Sequence, residues 1–196
     1  MLVKECNMPD ISDLKHSVVG HFILTSLAGF DKQHSQKTIK TLSVISRLMD
    51  KAKYEYQVAR ETAIEEEKEN KLTYEELMKR DSGQYMYTCP IINHLENCIN
   101  ALSRIFKLVK LLPKEYNFTH QKKIVDIRNA IEHMDERISS SKQGSLSLNI
   151  SEDALAVEIT GEIIKLEDVA GQIRVLYKEI RDFIYKSDDK VTSGNK

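Results

Sequence analysis

The spacing of apolar residues limits the fold of this chain more than any other feature, because in long stretches they recur every three or four positions. That spacing places them on one face of an α-helix. Only 7 glycines and 3 prolines occur among 196 residues, so few positions interrupt such helices. The chain is therefore expected to be mainly α-helical. Between residues 35 and 70 the predicted apolar face consists of Leu42, Ile45, Leu48, Met49, Ala52, Tyr56 and Ala59.

Two further stretches have the same helical period. One begins at Pro90, a residue favoured in the first turn of a helix, and is expected to run to about Leu112, where Pro113 stops it. The other is expected to run from Leu166 to Lys186. The predicted apolar face of the first consists of Ile91, Leu95, Cys98, Ile99, Leu102, Ile105, Phe106, Val109 and Leu112. That of the second consists of Val169, Ile173, Leu176, Ile180 and Ile184.

The period changes to two between about residues 145 and 165. Leu146, Leu148 and Ile150 alternate with polar residues, and a second alternating run covers 154–159 after a polar turn. This pattern predicts a small antiparallel β appendage of two or three strands. The predicted fold is a bundle of long helices that carries this appendage.

The sequence also suggests how the chain is divided. Residues 1–35 form an N-terminal segment of uncertain structure, in which 17–30 is either a short helix or a buried strand. Residues 36–187 are expected to form the helical bundle domain, with the β-hairpin insertion at about 145–165, and 188–196 a flexible tail. The charged run 61–70 is expected to project into solvent. Thr73 and Glu76 have the spacing of a capping box at the start of a short helix.

Charge and cysteine content exclude several classes of protein. The net charge is −1, so contact with RNA or DNA requires a local positive patch. Cys6, Cys89 and Cys98 lie far apart and indicate neither a disulfide framework nor a zinc site, so no metal or cofactor is expected. The apolar stretch 18–30 is shorter than the about 20 residues that span a bilayer, and it begins too late for a signal peptide. We therefore expect a cytoplasmic protein without membrane contact.

The sequence leaves the role of several cations open and predicts the position of one histidine. Exposed cations near the end of the second long helix are either an ordinary solvated face or part of a phosphate-attracting patch. His94 points away from the apolar face of its helix and is expected to be a surface histidine. The cations of the candidate patch are Arg104, Lys107, Lys110, Lys114, Lys122 and Lys123.

One segment near residue 130 contains a pattern with specific chemistry. On a helix covering about 120–139, Asn129 and His133 lie four residues apart on one side, and Arg128 and His133 flank one polar face. Arginine can bind a phosphate through two parallel N–H bonds, and histidine can move a proton near neutral pH. Two copies related by a two-fold axis would supply two of each for RNA cleavage without a metal. The core-facing stripe of this helix is predicted to be Ile124, Ile127, Ile131, Met134 and Ile138.

The segment 127–133, Ile-Arg-Asn-Ala-Ile-Glu-His, resembles the signature of the HEPN domain family. That signature is an arginine, usually followed by a polar residue, and a histidine after four to six intervening residues, late in an all-helical bundle. The resemblance covers about residues 37–140. It implies a bundle of four or five helices that forms a homodimer through the motif helix. Many members are metal-independent ribonucleases in toxin–antitoxin and host-defence systems, and others are inactive binding modules.

By this resemblance, Arg128 and His133 are the catalytic pair, and Asn129 is the polar residue beside them. The sequence departs from some family members at Asp135, where HEPN toxins that are paired with minimal nucleotidyltransferases often carry a tyrosine to which a nucleotide is attached. We therefore do not expect that mode of control. Glu132 and Asp135 add negative charge beside the predicted phosphate site.

Two functions follow as hypotheses. The first is a HEPN-like endoribonuclease that cleaves RNA by attack of the 2′-hydroxyl. The second is a non-catalytic helical interaction module, such as an antitoxin, an adaptor or a structural subunit, with a protein partner or inhibitor. A third interpretation makes Arg128 and His133 an ordinary surface pair, with Arg128 bound to Glu132 one turn away.

Overall fold

Helices dominate the computed structural model, which describes residues 7–73, 75, 76, 79, 88–133, 148–150, 154–157 and 162–185. The prediction of a mainly helical chain is confirmed. The elements in chain order are α1 (Val18–Leu27), a 3₁₀ turn (Phe30–Lys32), α2 (Gln36–Asn70), α3 (Thr88–Val109), α4 (Gln121–Glu132), β1 (Leu148–Ile150), β2 (Ala154–Val157), β3 (Glu162–Lys165) and α5 (Leu166–Tyr185).

The hydrophobic core lies mainly between α2 and α3, which make the most extensive contact of any two elements. Every residue of the apolar faces predicted for α2, α3 and α5 is buried. Burying one leucine or isoleucine side chain stabilises a fold by about 1.5–3 kcal/mol, so these three faces supply most of the driving force for folding. The helical period of the sequence was therefore sufficient to identify the core of these helices.

The segment before residue 36 belongs to the same core. Residues 18–27 form helix α1 rather than a strand, and Val18 and Phe22 are buried, as is Phe30 in the 3₁₀ turn. Earlier in the chain, Met8 and Ile11 are also buried. Helix α1 contacts both α2 and α5, so the N-terminal segment covers one side of the bundle.

Polar side chains of α2 hold this segment by its backbone. The Asp50 carboxylate accepts hydrogen bonds from Val18 N at 2.9 Å, Val19 N at 3.2 Å and Ser17 Oγ at 2.5 Å. The first N–H groups of a helix have no partner within the helix, so Asp50 caps α1 from another element. Ser17 also caps α1, because its Oγ accepts from Gly20 N at 3.0 Å.

Further along α2, three side chains donate to backbone carbonyls of the chain before α1. Lys53 Nζ lies 2.9 Å from the Leu14 carbonyl oxygen, Tyr56 Oη lies 3.1 Å from that of Pro9, and Arg60 Nε lies 3.0 Å from that of Met8. These bonds satisfy carbonyls that have no partner in regular secondary structure. The irregular chain is thereby fixed against α2.

The three strands form one antiparallel sheet in the order β1-β2-β3. Leu155 of β2 is paired with Ile150 of β1 and with Ile164 of β3, and both Leu155 and Ile164 are buried. Helix α4 contacts α3 on one side and strands β2 and β3 on another. The sheet therefore fixes α4 in position against the bundle.

Several predicted boundaries differ from the structure. Helix α3 includes Thr88 before Pro90, and it ends at Val109 rather than Leu112. The predicted solvent-exposed end of α2 is partly covered, because Ala63 and Glu66 are buried. The sequence shows charged residues there but does not show what packs over them. The predicted tail, 188–196, lies outside the described residues.

The predicted capping box after α2 is confirmed. Thr73 N donates to Glu76 Oε2 at 2.8 Å, and Glu76 N donates to Thr73 Oγ1 at 3.4 Å. The two residues thus exchange the reciprocal bonds that define this motif. A local pattern of two residues was enough to predict it, because both partners lie within one turn.

The Asp50 cap can be tested by substitution. Asp50→Ala removes the acceptor for two backbone N–H groups of α1, and we expect the free energy of unfolding to fall by about 1–2 kcal/mol. Urea denaturation followed by circular dichroism measures this change. Lys51→Ala, at an exposed neighbouring position of α2, is the matched control and should change stability little. Equal effects of the two substitutions would contradict the capping role.

Candidate functional site

Helix α4 presents the candidate motif residues at its C-terminal end. Ile124, Ile127 and Ala130 are buried, and Ile131 is partly buried against the core, which agrees with the predicted stripe as far as residue 131. The helix begins at Gln121, close to the predicted start at about residue 120, and Phe118 is buried beside Phe106 in the non-helical segment before it. The predicted core residues Met134 and Ile138, like Asp135, lie outside the described residues.

The Arg128 guanidinium is held along its own helix. Its two terminal nitrogens bind the Glu132 carboxylate one turn further on, and Nη1 also donates to Asn129 Oδ1 at 3.2 Å. The Arg128 side chain is 20% exposed and that of Glu132 48% exposed. The ion pair that the sequence offered as an alternative interpretation is therefore present in the structure.

His133 follows the last residue of α4 and is exposed. Its backbone N–H donates to the Asn129 carbonyl oxygen at 3.0 Å, which ties the residue to the final turn. The sequence predicts His133 inside a helix that continues to about residue 139, whereas α4 ends one residue before it. As the C-cap, its imidazole stands at the end of α4 on a face that no other helix of the described chain buries.

The arrangement brings an arginine, an amide and an imidazole to one end of a helix. The guanidinium carries five N–H donors, and its geometry matches the oxygens of a phosphate as well as those of a carboxylate. The imidazole is open to solvent and so can exchange a proton with a bound molecule. The polar face of α4 that Arg128 and His133 flank is thus accessible, and Glu132 is the counter-ion of Arg128.

A second titratable pair links α2 and α3. His94 Nδ1 lies 2.6 Å from Glu55 Oε2, and the two side chains are 29% and 12% exposed. The prediction that His94 is an ordinary surface histidine was therefore wrong. No pattern in the sequence indicates this pair, because Glu55 and His94 lie 39 positions apart and meet only when the two helices pack.

Cys98 lies near this pair but cannot act as a nucleophile in the folded state. Its side chain is fully buried, and burial, together with the nearby Glu55 carboxylate, raises the pKa of the thiol far above its usual range. The reactive form of cysteine is the thiolate, which this environment disfavours. The Glu55, His94 and Cys98 group is therefore part of the packing between α2 and α3.

The six cations of the candidate phosphate patch fall into two groups. Lys114 Nζ binds Glu179 Oε2 at 2.5 Å, and Lys123 Nζ lies 3.8 Å from Asp168 Oδ2, so these two lysines pair with acidic residues of α5. The other four, Arg104, Lys107, Lys110 and Lys122, are exposed and have no such ion pair among the described residues. The patch is thus smaller than the sequence suggested.

Two further features bear on function. Among the described residues, no group of three or more His, Cys, Asp or Glu side chains is arranged to hold a metal ion. His16 and His21 line a cavity of about 370 Å³ together with Arg181 and Tyr185, and the rings of His21 and Tyr185 lie 3.9 Å apart. The sequence did not indicate this cavity, since its walls come from both ends of the chain.

Comparisons of the chain with protein-family profiles, with curated proteins and with solved structures find no match. In the part of the chain that the structure describes, no helix has the length and apolar character needed to cross a membrane.

The pairing of Glu55 with His94 leads to a stability prediction. His94→Ala leaves the nearly buried Glu55 carboxylate without its imidazole partner, and we expect the free energy of unfolding to fall by about 1–3 kcal/mol. Asn93→Ala, at the adjacent exposed position, is the control. Chemical denaturation at neutral pH measures both variants, and a His94→Ala protein as stable as the control would show that the pair contributes nothing.

Proposed function

We propose that this chain is a HEPN-like, metal-independent endoribonuclease that acts as a homodimer through α4, as a toxin or defence effector. The observation that supports it is the exposed end of α4, where His133 follows Arg128 and Asn129 within two turns. The chemistry of these three groups matches RNA cleavage by the 2′-hydroxyl, and the segment resembles the family signature in the same residues.

Each residue has a role in this proposal. His133 takes the proton of the ribose 2′-hydroxyl, and the 2′-oxygen attacks the adjacent phosphorus. The bond to the 5′-oxygen breaks, and a protonated imidazole returns a proton to that leaving oxygen. Arg128 binds the scissile phosphate and stabilises the charge that develops on its oxygens. Asn129 positions the guanidinium through its 3.2 Å hydrogen bond.

Arg128 must exchange Glu132 for the phosphate in this reaction. An ion pair between residues four apart on an exposed helix contributes only about 0.3–0.5 kcal/mol, so its loss costs little. A phosphate offers the same bidentate geometry to the guanidinium. The Arg128–Glu132 pair therefore holds the guanidinium in place without preventing substrate binding.

A homodimer completes the site, because a single copy supplies one Arg128 and one His133. One imidazole cannot be in its basic and its acidic form at the same moment, and the reaction uses both forms. Two copies related by a two-fold axis along α4 bring two imidazoles and two guanidiniums to the same place.

The second candidate is a non-catalytic helical interaction module. The specific observation in its favour is that Arg128 already binds a carboxylate of its own helix. In this case the exposed face at the end of α4 is a docking surface for a protein partner, and the motif residues contribute to its shape and charge.

RNA cleavage in the presence of EDTA distinguishes the two candidates. We expect the purified protein to leave 2′,3′-cyclic phosphate ends, and the variants Arg128→Ala and His133→Ala to lose activity by about 10²- to 10⁴-fold, since each removes a group needed in the transition state. Analysis of product ends by mass spectrometry and gel electrophoresis provides the readout.

Matched controls are available elsewhere in the chain. His16→Ala and Arg47→Ala remove a histidine and an arginine at exposed positions outside α4 and should retain full activity. Full activity of both motif variants would rule out the proposed site. No cleavage of any RNA by the unmodified protein would favour the interaction module.

A further inference from the structure

Three of the exposed lysines line a cleft at the N-terminal end of α4, at the end of the helix opposite His133. The cleft lies between the C-terminal end of α3 and the start of α4, and its volume is about 490 Å³. Lys107 and Lys110 reach it from α3 and the turn that follows, and Lys122 from the first turn of α4. Phe106 and Phe118 form part of its wall.

The three lysines are available to an external anion. In the described parts of the chain none of them has an ion pair or a hydrogen bond to another side chain, unlike Lys114 and Lys123 nearby. The cleft contains one carboxylate, that of Asp126, so its lining keeps a net charge of +2. Such a surplus in a concave site attracts anions more strongly than the same charges on a flat surface.

Neutral hydrogen-bonding groups complete the lining. Asn117, Thr119 and Gln121 border the cleft beside the lysines. In the described part of the chain no side chain caps the N-terminus of α4, and the first turn of this helix contains no acidic residue. The partial positive charge of a helix start therefore adds to the lysine charges, although the lysines define the site.

The cleft and part of the motif lie on the same side of α4. Lys122, Asp126, Asn129 and His133 are spaced by four, three and four residues, and residues at these spacings form a single stripe on a helix. At 1.5 Å per residue the stripe is about 16 Å long. A chain of phosphates bound in the cleft at one end of the stripe can thus extend to His133 at the other.

We propose that this cleft binds the sugar–phosphate backbone of single-stranded RNA and directs the strand along α4 toward Arg128 and His133. The direction of the strand along α4 rests on the proposed ribonuclease function. The binding of the strand in the cleft rests on the lysines alone. Lysine side chains contact phosphates rather than bases, so the cleft contributes affinity for RNA without a preference for its sequence.

The test is a binding measurement that does not depend on cleavage. A fluorescent 12-nucleotide RNA is titrated with His133→Ala protein at 50–200 mM salt, with and without the additional triple substitution Lys107→Gln, Lys110→Gln and Lys122→Gln. Loss of three phosphate contacts should lower the slope of log affinity against log salt by about 2 and weaken binding on the order of 100-fold at 0.1 M salt. The control triple, Lys32→Gln, Lys37→Gln and Lys51→Gln, makes the same change in net charge at exposed positions of the 3₁₀ turn and α2.

The outcomes separate this proposal from the previous one. A selective loss with the cleft triple supports the cleft, even if the unmodified protein does not cleave RNA. Equal losses with both triples, or no RNA binding at 50 mM salt, overturn it, as does binding of polyglutamate as tight as that of RNA. Cleavage by a cleft variant with an unchanged KM would leave the ribonuclease proposal intact and reject the cleft.

Discussion

The packing of α2 against α3 is the contact on which the rest of the structure depends. It buries the two longest apolar faces of the chain, and it brings Glu55 and His94 together across the interface. Helix α4 packs on α3, and the sheet packs on α4, so the position of the motif follows from this one contact. The other side of α2 holds the N-terminal segment by bonds from Asp50, Lys53 and Arg60 to its backbone. One helix thus organises both the core and the segment that covers it.

The cationic side chains of α4 lie toward both ends of the helix, and the proposed path of the RNA strand joins them. Lys122 lies at the start of the helix beside Lys107 of α3 and Lys110 of the following turn, while Arg128 and His133 lie toward its end. Glu132 holds the Arg128 guanidinium in an extended position on the surface of the helix. Because such an exposed pair is weak, it orients the cation, and in the proposed reaction a phosphate that binds two N–H groups at once takes its place. The same carboxylate offsets the charge of Arg128.

The sequence was informative wherever the relevant partners lie within one helical turn. The apolar faces of α2, α3 and α5 and the capping box of Thr73 and Glu76 were predictable, because helical period and local spacing define them. Contacts between distant positions were not predictable, and His94 is the clearest case, since its partner is on another helix. The end of α4 at Glu132 was also missed, because the apolar period continues past it in the sequence. Two of the six cations of the candidate patch pair with acidic residues of α5. The sequence does not predict these pairs, because the partners lie far apart in the chain.

The central claim is that Arg128 and His133 from two copies of the chain form one site, and pairing an unmodified subunit with an inactive one tests it most directly. Unmodified chains and chains with both Arg128→Ala and His133→Ala, carrying different affinity tags, are co-expressed, and the heterodimer is purified through both tags. This heterodimer has one guanidinium and one imidazole, whereas the proposed site uses two imidazoles, so it should cleave RNA in EDTA far more slowly than half the rate of the unmodified dimer. A heterodimer with half that rate, or an unmodified chain that forms no dimer, would contradict the account.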